Sequence, residues 1–171
     1  MTIGDQSAAR TRDERRLPRT PVGALAGLAM LAAPVLVTVG GLIGRAGWLT
    51  VGLGWLGVGL LVAAALTVHS LRSSFEDEIA EQTSLAVRLG EHRTRWLYYG
   101  LVAAAYLVLG GLVLRAPWTA IALVTVLLLG FPVWQVRSGA VSGQLNPVVR
   151  DTALVSLHYG ALVGLALALS G

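Results

Sequence analysis

Long apolar runs constrain this chain more than any other feature of its sequence. Five stretches contain almost no charged side chain, and they cover residues 22–44, 48–68, 96–114, 118–136 and 152–170. Each is close to the ~20 residues that a helix needs to cross the hydrocarbon core of a bilayer. Lipid offers the backbone no hydrogen-bond partners, so each stretch must satisfy its own polar groups, as a helix does. The sequence therefore predicts an all-α polytopic membrane bundle of about five transmembrane helices.

Composition excludes several other classes of protein. The mean hydropathy is +0.71, which is far above that of soluble domains, and the apolar runs lack the alternation of a β-barrel. The absence of cysteine excludes disulfides and thiolate metal sites. A pI near 10.3 in a soluble protein would suggest a nucleic-acid partner. Here every basic residue is Arg and lies beside an apolar run, so membrane orientation explains the charge and no nucleic-acid partner is expected.

The arginine distribution predicts how the chain crosses the membrane. Segments 1–20, 70–95 and 137–151 alternate with the five spans and hold 11 of the 13 arginines and all nine acidic residues. Only Arg45 and Arg115 fall on the opposite side. Because cytoplasmic loops are enriched in basic residues, we expect a multi-pass protein of the cytoplasmic membrane with its N-terminus inside and its C-terminus outside. Residues 1–20 are expected to form a disordered cytoplasmic tail, and residues 21–171 the transmembrane domain.

The predicted cytoplasmic loop 70–95 carries most of the chain's reactive groups. Four carboxylates fall within six positions, namely Glu76, Asp77, Glu78 and Glu81. Grouped carboxylates at a membrane face suit Mg²⁺, which also takes oxygens from substrate phosphates. Arg72 and Arg88 lie in the same segment, and guanidinium groups bind phosphates in bidentate fashion. From the residues alone, a merely solvated charged loop stays open as the alternative.

The segment from His69 to Gly90 resembles a family motif. The pattern is the second aspartate-rich motif of the UbiA superfamily of intramembrane prenyltransferases, approximately N-N-L-R-D-x-x-x-D-x-x-x-G-K-x-T-L-A-V-R-L-G. The closest resemblance is to the 1,4-dihydroxy-2-naphthoate polyprenyltransferases of menaquinone synthesis. Asp77 falls on the second Asp of the motif. The other matching positions are Leu71, Arg72, Leu85, Ala86, Val87, Arg88, Leu89 and Gly90.

The chain also departs from that motif. Ser73 stands at the position of the first Asp, and a hydroxyl is a poorer Mg²⁺ ligand than a carboxylate. The remaining substitutions are His69 and Ser70 for the paired Asn, Glu81 and Gln82 for Gly-Lys, and Ser84 for Thr. The first aspartate-rich motif of the family, N-D-x-x-D, is absent from the sequence. The layout of two spans before the motif and three after it resembles the second half of a nine-helix family member.

The resemblance implies a chemistry and a set of partners. It implies polyprenyl transfer from a polyprenyl diphosphate to an aromatic acceptor, with Mg²⁺ at Asp77 and the neighbouring Glu residues and the diphosphate at Arg72 and Arg88. A second half-protein bearing N-D-x-x-D, or a homo-oligomer, would complete the site within the lipid bilayer. The alternative is a catalytically inactive membrane subunit or scaffold, which the substitution at Ser73 favours. A transporter or channel has little support, because no span carries a ring of charges.

The sequence also predicts structural roles for several residues outside the motif. His158 is ionisable within a span, and we expect it to be neutral and hydrogen-bonded to a neighbouring helix. His92 is expected to be solvated. Asn146 and Pro147 are typical of a turn, and Arg150 with Asp151 of a cap before the last helix. Repeated glycine spacing, as in Gly40/Gly44 and Gly160/Gly164, favours close helix packing within one bundle over a dimer seam.

Overall fold

The computed structural model describes residues 21–79, 90–138 and 145–170, and these are helical apart from short connections. The helices are α1 (Pro21–Ile43), α2 (Trp48–Ile79), α3 (Glu91–Val113), a 3₁₀ segment (Pro117–Val124) that leads into α4 (Thr125–Arg137), and α5 (Asn146–Leu169). Counting the 3₁₀ segment with α4, five helices are long and apolar enough to cross a membrane. The predicted all-α bundle of five membrane-spanning helices is confirmed.

The segment predicted as loop 70–95 is largely helical where it is described. Helix α2 runs past its apolar stretch to Ile79, and α3 already begins at Glu91. The sequence between His69 and Ile79 contains neither Gly nor Pro, so nothing in it terminates a helix that starts in the membrane. Residues 80–89, between these two helices, lie outside the described residues. This is a correction to the expected loop.

The last helix also starts earlier than its apolar run. Asn146 and Pro147 form the first turn of α5 instead of a separate turn, because proline is compatible with the first helical positions. Arg150 and Asp151 consequently lie inside α5, where they pair with each other at 2.9 Å, and they do not cap it.

Helix α5 occupies the centre of the bundle. It contacts α1, α2, α4 and the 3₁₀ segment. The buried share of the span is 56% in Pro147–Leu169 and 22% in His92–Val113, so α5 is central and α3 is peripheral. The main core cluster brings together residues of every one of these elements, among them Val37, Leu61, Leu109, Leu129 and Tyr159.

Glycine contacts explain how closely α1 and α5 approach. A Cβ built on Gly40 would overlap the carbonyl of Gly164, and one built on Gly44 would overlap the carbonyl of Leu167. A Cβ on Gly160 would lie 2.6 Å from the carbonyl oxygen of Ala33. The two backbones therefore touch directly, which only glycine permits. For these glycines, the prediction of packing within one bundle is confirmed.

Tyr159 in the core and the partly buried Tyr106 packed against it provide a matched test of two hydroxyl groups. Tyr106 and Tyr159 meet edge to face, with ring centroids 6.2 Å apart. The Tyr106 hydroxyl lies 2.7 Å from Thr125 Oγ1, whereas the buried Tyr159 hydroxyl has no hydrogen-bond partner among the described residues and abuts Gly57.

We expect the two Tyr→Phe changes to act in opposite directions on stability. Tyr159→Phe removes an unsatisfied polar atom and should raise the free energy of unfolding by about 1 kcal/mol, while Tyr106→Phe should lower it by a similar amount. Thermal unfolding of both variants in detergent, followed by circular dichroism, measures the difference. Two shifts of the same sign would show that the Tyr159 hydroxyl has a partner or that the Tyr106 bond contributes nothing.

Candidate functional site

The motif positions that precede the undescribed stretch lie on the extended end of α2. Positions 69, 73 and 77 follow one another at intervals of four and so occupy one strip of the helix. His69 is exposed near the end of the span Trp48–Leu71. The helix thus places Ser73 and Asp77 one turn apart, at the positions of the family's two motif aspartates.

The structure describes the backbone position of some of the other predicted site residues but not of all of them. Arg72, Glu76 and Glu78 are placed by the backbone at the end of α2. The remaining predicted residues, Glu81, Ser84 and Arg88, lie outside the described residues. Among the described side chains, no group of three or more His, Cys, Asp or Glu residues comes together. The Mg²⁺ and diphosphate assignments therefore stay predictions.

Gly90, the last residue of the motif, has a backbone conformation that explains why this position is a glycine. Its φ of 80° and ψ of 154° lie in a region that is essentially restricted to glycine. The Gly90 carbonyl accepts a hydrogen bond from the Thr94 amide at 3.1 Å and another from the Thr94 hydroxyl at 2.9 Å. A side chain at position 90 would strain the turn that starts α3, so the motif residue sets the direction in which α3 begins.

A cavity of about 570 Å³ lies between the first turns of α3 and the last turns of α4. Its described lining consists of His92, Arg95, Trp96, Tyr99, Val133, Val136 and Arg137. Two guanidinium groups, three aromatic rings and an aliphatic floor therefore face one space, and none of the described lining residues is acidic. The first lining residue, His92, follows Gly90 by two positions, so the motif leads directly into the wall of the cavity.

Arg95 joins the two helices across this cavity. Its guanidinium donates a hydrogen bond to the carbonyl of Val136, in the last turn of α4. Carbonyls in a final turn lack helical partners, so a cation there both satisfies the oxygen and opposes the helix dipole. Arg95 therefore links the start of α3 to the end of α4 beside the cavity. Arg137 lies at the end of the same helix, is exposed, and lines the same space.

A hydrogen bond and ring contacts among the aromatic residues hold them in place in the cavity wall. The Trp96 indole N–H donates to His92 Nε2 at 3.0 Å, so this nitrogen carries no proton in the arrangement. The Trp96 ring meets His92 at 69° and Tyr99 at 88°, both edge to face. His92 is thus exposed, as expected for a solvated residue, but it also forms part of the cavity wall.

His158 differs from its expected role. Its Nδ1 lies 2.7 Å from the Leu154 carbonyl of its own helix, and the side chain is exposed on the outside of the bundle. The expectation of a bond to a neighbouring helix is therefore wrong. The carbonyl four residues earlier in the same helix is within reach of the His158 ring, and it provides the partner.

Two curated proteins are similar to this chain, and both bear the name 1,4-dihydroxy-2-naphthoate octaprenyltransferase. The protein from Mycobacterium tuberculosis is 33% identical over 189 aligned residues, which cover 86% of this chain and 65% of the relative. The protein from Mycobacterium leprae is 34% identical over 123 residues, covering 68% of this chain and 42% of the relative. The chain is a homologue of these prenyltransferases. The predicted likeness to 1,4-dihydroxy-2-naphthoate polyprenyltransferases is confirmed.

The matches cover only part of each relative. The chain spans less than two thirds of the length of either relative. The 189 aligned positions exceed the 171 residues of the chain, so the Mycobacterium tuberculosis protein has residues within the aligned region that this homologue lacks. No family model and no solved structure matches the chain.

Proposed function

We propose that this homologue takes part in polyprenyl transfer from a polyprenyl diphosphate to an aromatic acceptor in menaquinone-type quinone biosynthesis. The observation that carries the proposal is the similarity to two octaprenyltransferases over most of the chain, together with a motif that leads into a cationic, aromatic cavity. Five apolar helices make it a multi-pass membrane protein, which suits a donor with a long hydrocarbon tail.

The proposal includes Mg²⁺, which would bind the diphosphate of the donor. The chemistry of the available groups fits, because positions 76, 77 and 78 in the last turn of α2 supply carboxylate oxygens, the ligands that Mg²⁺ takes. When bound, the metal would neutralise charge on the diphosphate as it leaves. Arg72 and Arg88 are the residues proposed to contact the same diphosphate, and the apolar faces of the helices would accommodate the tail.

A second polypeptide is proposed to complete the site. The chain has no N-D-x-x-D motif and spans only part of its relatives' length. A partner with N-D-x-x-D would supply the opposing carboxylates, and a homo-oligomer is the other arrangement considered. The test is prenyl transfer from a labelled polyprenyl diphosphate to a naphthoate acceptor with Mg²⁺, measured for the purified chain with and without such a partner.

The second candidate function is a non-catalytic membrane subunit. Two sequence differences favour it, namely Ser73 in place of the first motif Asp and the Glu81-Gln82 pair in place of Gly-Lys. Each removes a group that would contact the metal or the diphosphate. Absence of transfer with every partner that carries N-D-x-x-D would support this function over the enzymatic one.

The proposed location is the cytoplasmic membrane, with the N-terminus inside and the C-terminus outside. The support is the arginine asymmetry, since five spans place the two ends of the chain on opposite sides. We expect a periplasmic reporter fused after Gly171 to be active and a cytoplasmic reporter at the same site to be inactive. Activity of the cytoplasmic reporter alone would refute this orientation.

A further inference from the structure

A second cavity lies between the first halves of α1 and α5. Its volume is about 290 Å³, and its described lining comes from these two helices alone. The motif residues 69–90 belong to α2 and to the chain that follows it, so none of them lies on α1 or α5. This cavity is therefore built without the residues proposed to bind Mg²⁺ or the donor diphosphate.

The packing of α1 on α5 gives this cavity the form of a groove along the two helices. The glycine contacts described above pair successive residues of α1 with successive residues of α5, so the helices run parallel. Their backbones touch in the second halves, at Gly40 and Gly164. In the first halves the buried contact is made by the methyl groups of Ala26, Ala29 and Ala153, which keep the backbones farther apart than glycine does.

The walls of the groove are leucine side chains. They are Leu25 and Leu28 on α1 and Leu154 and Leu157 on α5. Leu25 is 59% exposed and Leu28 is 64% exposed, so the α1 wall faces the surroundings of the bundle. Within a membrane-spanning helix those surroundings are hydrocarbon, and the apolar ligand that the bilayer itself offers is an acyl chain.

Arg150 adds a cation to one end of this apolar groove. It lies in the second turn of α5, lines the groove and has a side chain that is 49% exposed. Its Nε and Nη2 atoms both lie 2.9 Å from Oδ1 of Asp151, and Nη1 takes no part in that pair. The guanidinium can therefore donate through Nη1 to the phosphate oxygen of a ligand whose chain lies in the groove.

The pairing with Asp151 restricts the charge of that ligand. The carboxylate neutralises part of the Arg150 charge, and the described lining contains no second cation. A phosphodiester carries a single negative charge and matches such a site. A prenyl diphosphate carries several negative charges, which one half-neutralised guanidinium beside a carboxylate does not balance.

We propose that the groove between α1 and α5 binds a phospholipid of the surrounding bilayer, with its phosphodiester on Arg150 and one acyl chain between the leucine walls. The lipid would fill the groove where α1 and α5 meet through alanines, and so it would stabilise the contact of α1 with the central helix. This inference goes beyond the proposed function and does not depend on it.

The test measures lipid binding by the full chain after removal of lipid in detergent. The probes are dioleoylphosphatidylglycerol and dioleoylglycerol, which have the same acyl chains but differ in the phosphodiester. Native mass spectrometry gives the dissociation constant of the first bound lipid. Arg150→Gln is compared with Arg93→Gln, a change of an exposed arginine at the start of α3, on the same side of the membrane.

A second pair of variants tests the groove itself. Ala32→Phe places a ring at the lining of the groove, whereas Ala103→Phe places the same ring at an exposed position of α3. Circular dichroism identifies any variant that does not fold, and the two arginine variants test the proposal even if Ala32→Phe fails to fold.

We expect Arg150→Gln to weaken binding of dioleoylphosphatidylglycerol by about tenfold, the effect of losing one charge-assisted hydrogen bond. Arg93→Gln and Ala103→Phe should leave it unchanged, and Ala32→Phe should weaken binding of both lipids. The wild type should bind dioleoylglycerol about as weakly as Arg150→Gln binds either lipid.

Three results would overturn the proposal. The first is equal binding of the two lipids by the wild type, and the second is equal behaviour of the two arginine variants. The third is displacement of dioleoylphosphatidylglycerol by an equal concentration of geranylgeranyl diphosphate, which would assign the groove to a prenyl diphosphate. None of these measurements involves prenyl transfer, so failure of this proposal and failure of the proposed function are distinguishable.

Discussion

Gly40→Val should destabilise the bundle by about 3 kcal/mol, the upper range for overpacking a close contact. Gly40 lies where the backbones of α1 and α5 touch, and any side chain there overlaps the Gly164 carbonyl. The contact is between two backbones, so no side-chain rotation relieves it. Because α5 is the central helix, separation of α1 from α5 also opens the core around Val37 and Tyr159.

The matched control is Gly59→Val on α2. Gly59 also lies within a membrane-spanning helix, but a Cβ there has no neighbour within 4 Å. Both variants carry the same loss of glycine and gain of a β-branched residue, so their difference isolates the contact. Unfolding of each by sodium dodecyl sulfate, followed by circular dichroism, gives the two midpoints. Equal midpoints would show that α1 and α5 do not approach as closely as described.

The glycine pattern shows how far local sequence reasoning reaches. Spacing alone predicts that glycines at intervals of four allow close packing, and Gly40, Gly44, Gly160 and Gly164 are in such contacts. The same reasoning does not distinguish them from Gly27, whose Cβ position is open. Which glycines meet a neighbour depends on how each helix is rotated about its axis, and tertiary packing determines that rotation.

Helix ends were the least predictable part of the fold. Apolar length locates the middle of each span, because the bilayer thickness sets it. It does not locate the ends, since a helix continues into water until a residue or a capping group stops it. Helix α2 continues to Ile79 for this reason, and α5 begins early because Pro147 is accepted in a first turn.

The sequence does not predict the cavity directly, although it contains a signal for it. Arg95 and Arg137 are far apart in sequence and belong to no common motif. They lie equally far from Ala116, at the short connection between α3 and the 3₁₀ segment. In an antiparallel pair of helices, residues equidistant from the turn meet at the same end. That symmetry places the two cations at the same end of the bundle, but the presence of a cavity between the helices depends on how the whole bundle packs.

The largest functional effect that we expect is the complete absence of prenyl transfer by the purified chain alone. In the family resembled, two carboxylate motifs face each other across the donor diphosphate, and this chain carries only the second motif, with Ser73 in place of an Asp. The described parts of the spans contain no acidic residue deep in the bundle that would replace the first motif. A homodimer would bring two copies of the same substituted motif.

With a partner bearing N-D-x-x-D, we expect Mg²⁺-dependent transfer, and we expect Asp77→Ala to reduce it by at least about a hundredfold, as loss of a group that stabilises transition-state charge does. Asp151→Ala is the matched control, because Asp151 pairs with Arg150 in α5 and such exposed pairs contribute little. Circular dichroism and gel filtration of each complex establish that both variants fold and assemble. Mg²⁺-dependent turnover by the chain alone, lost in Asp77→Ala, would contradict the need for a partner. Equal activity of the two variants would remove Asp77 from the metal site.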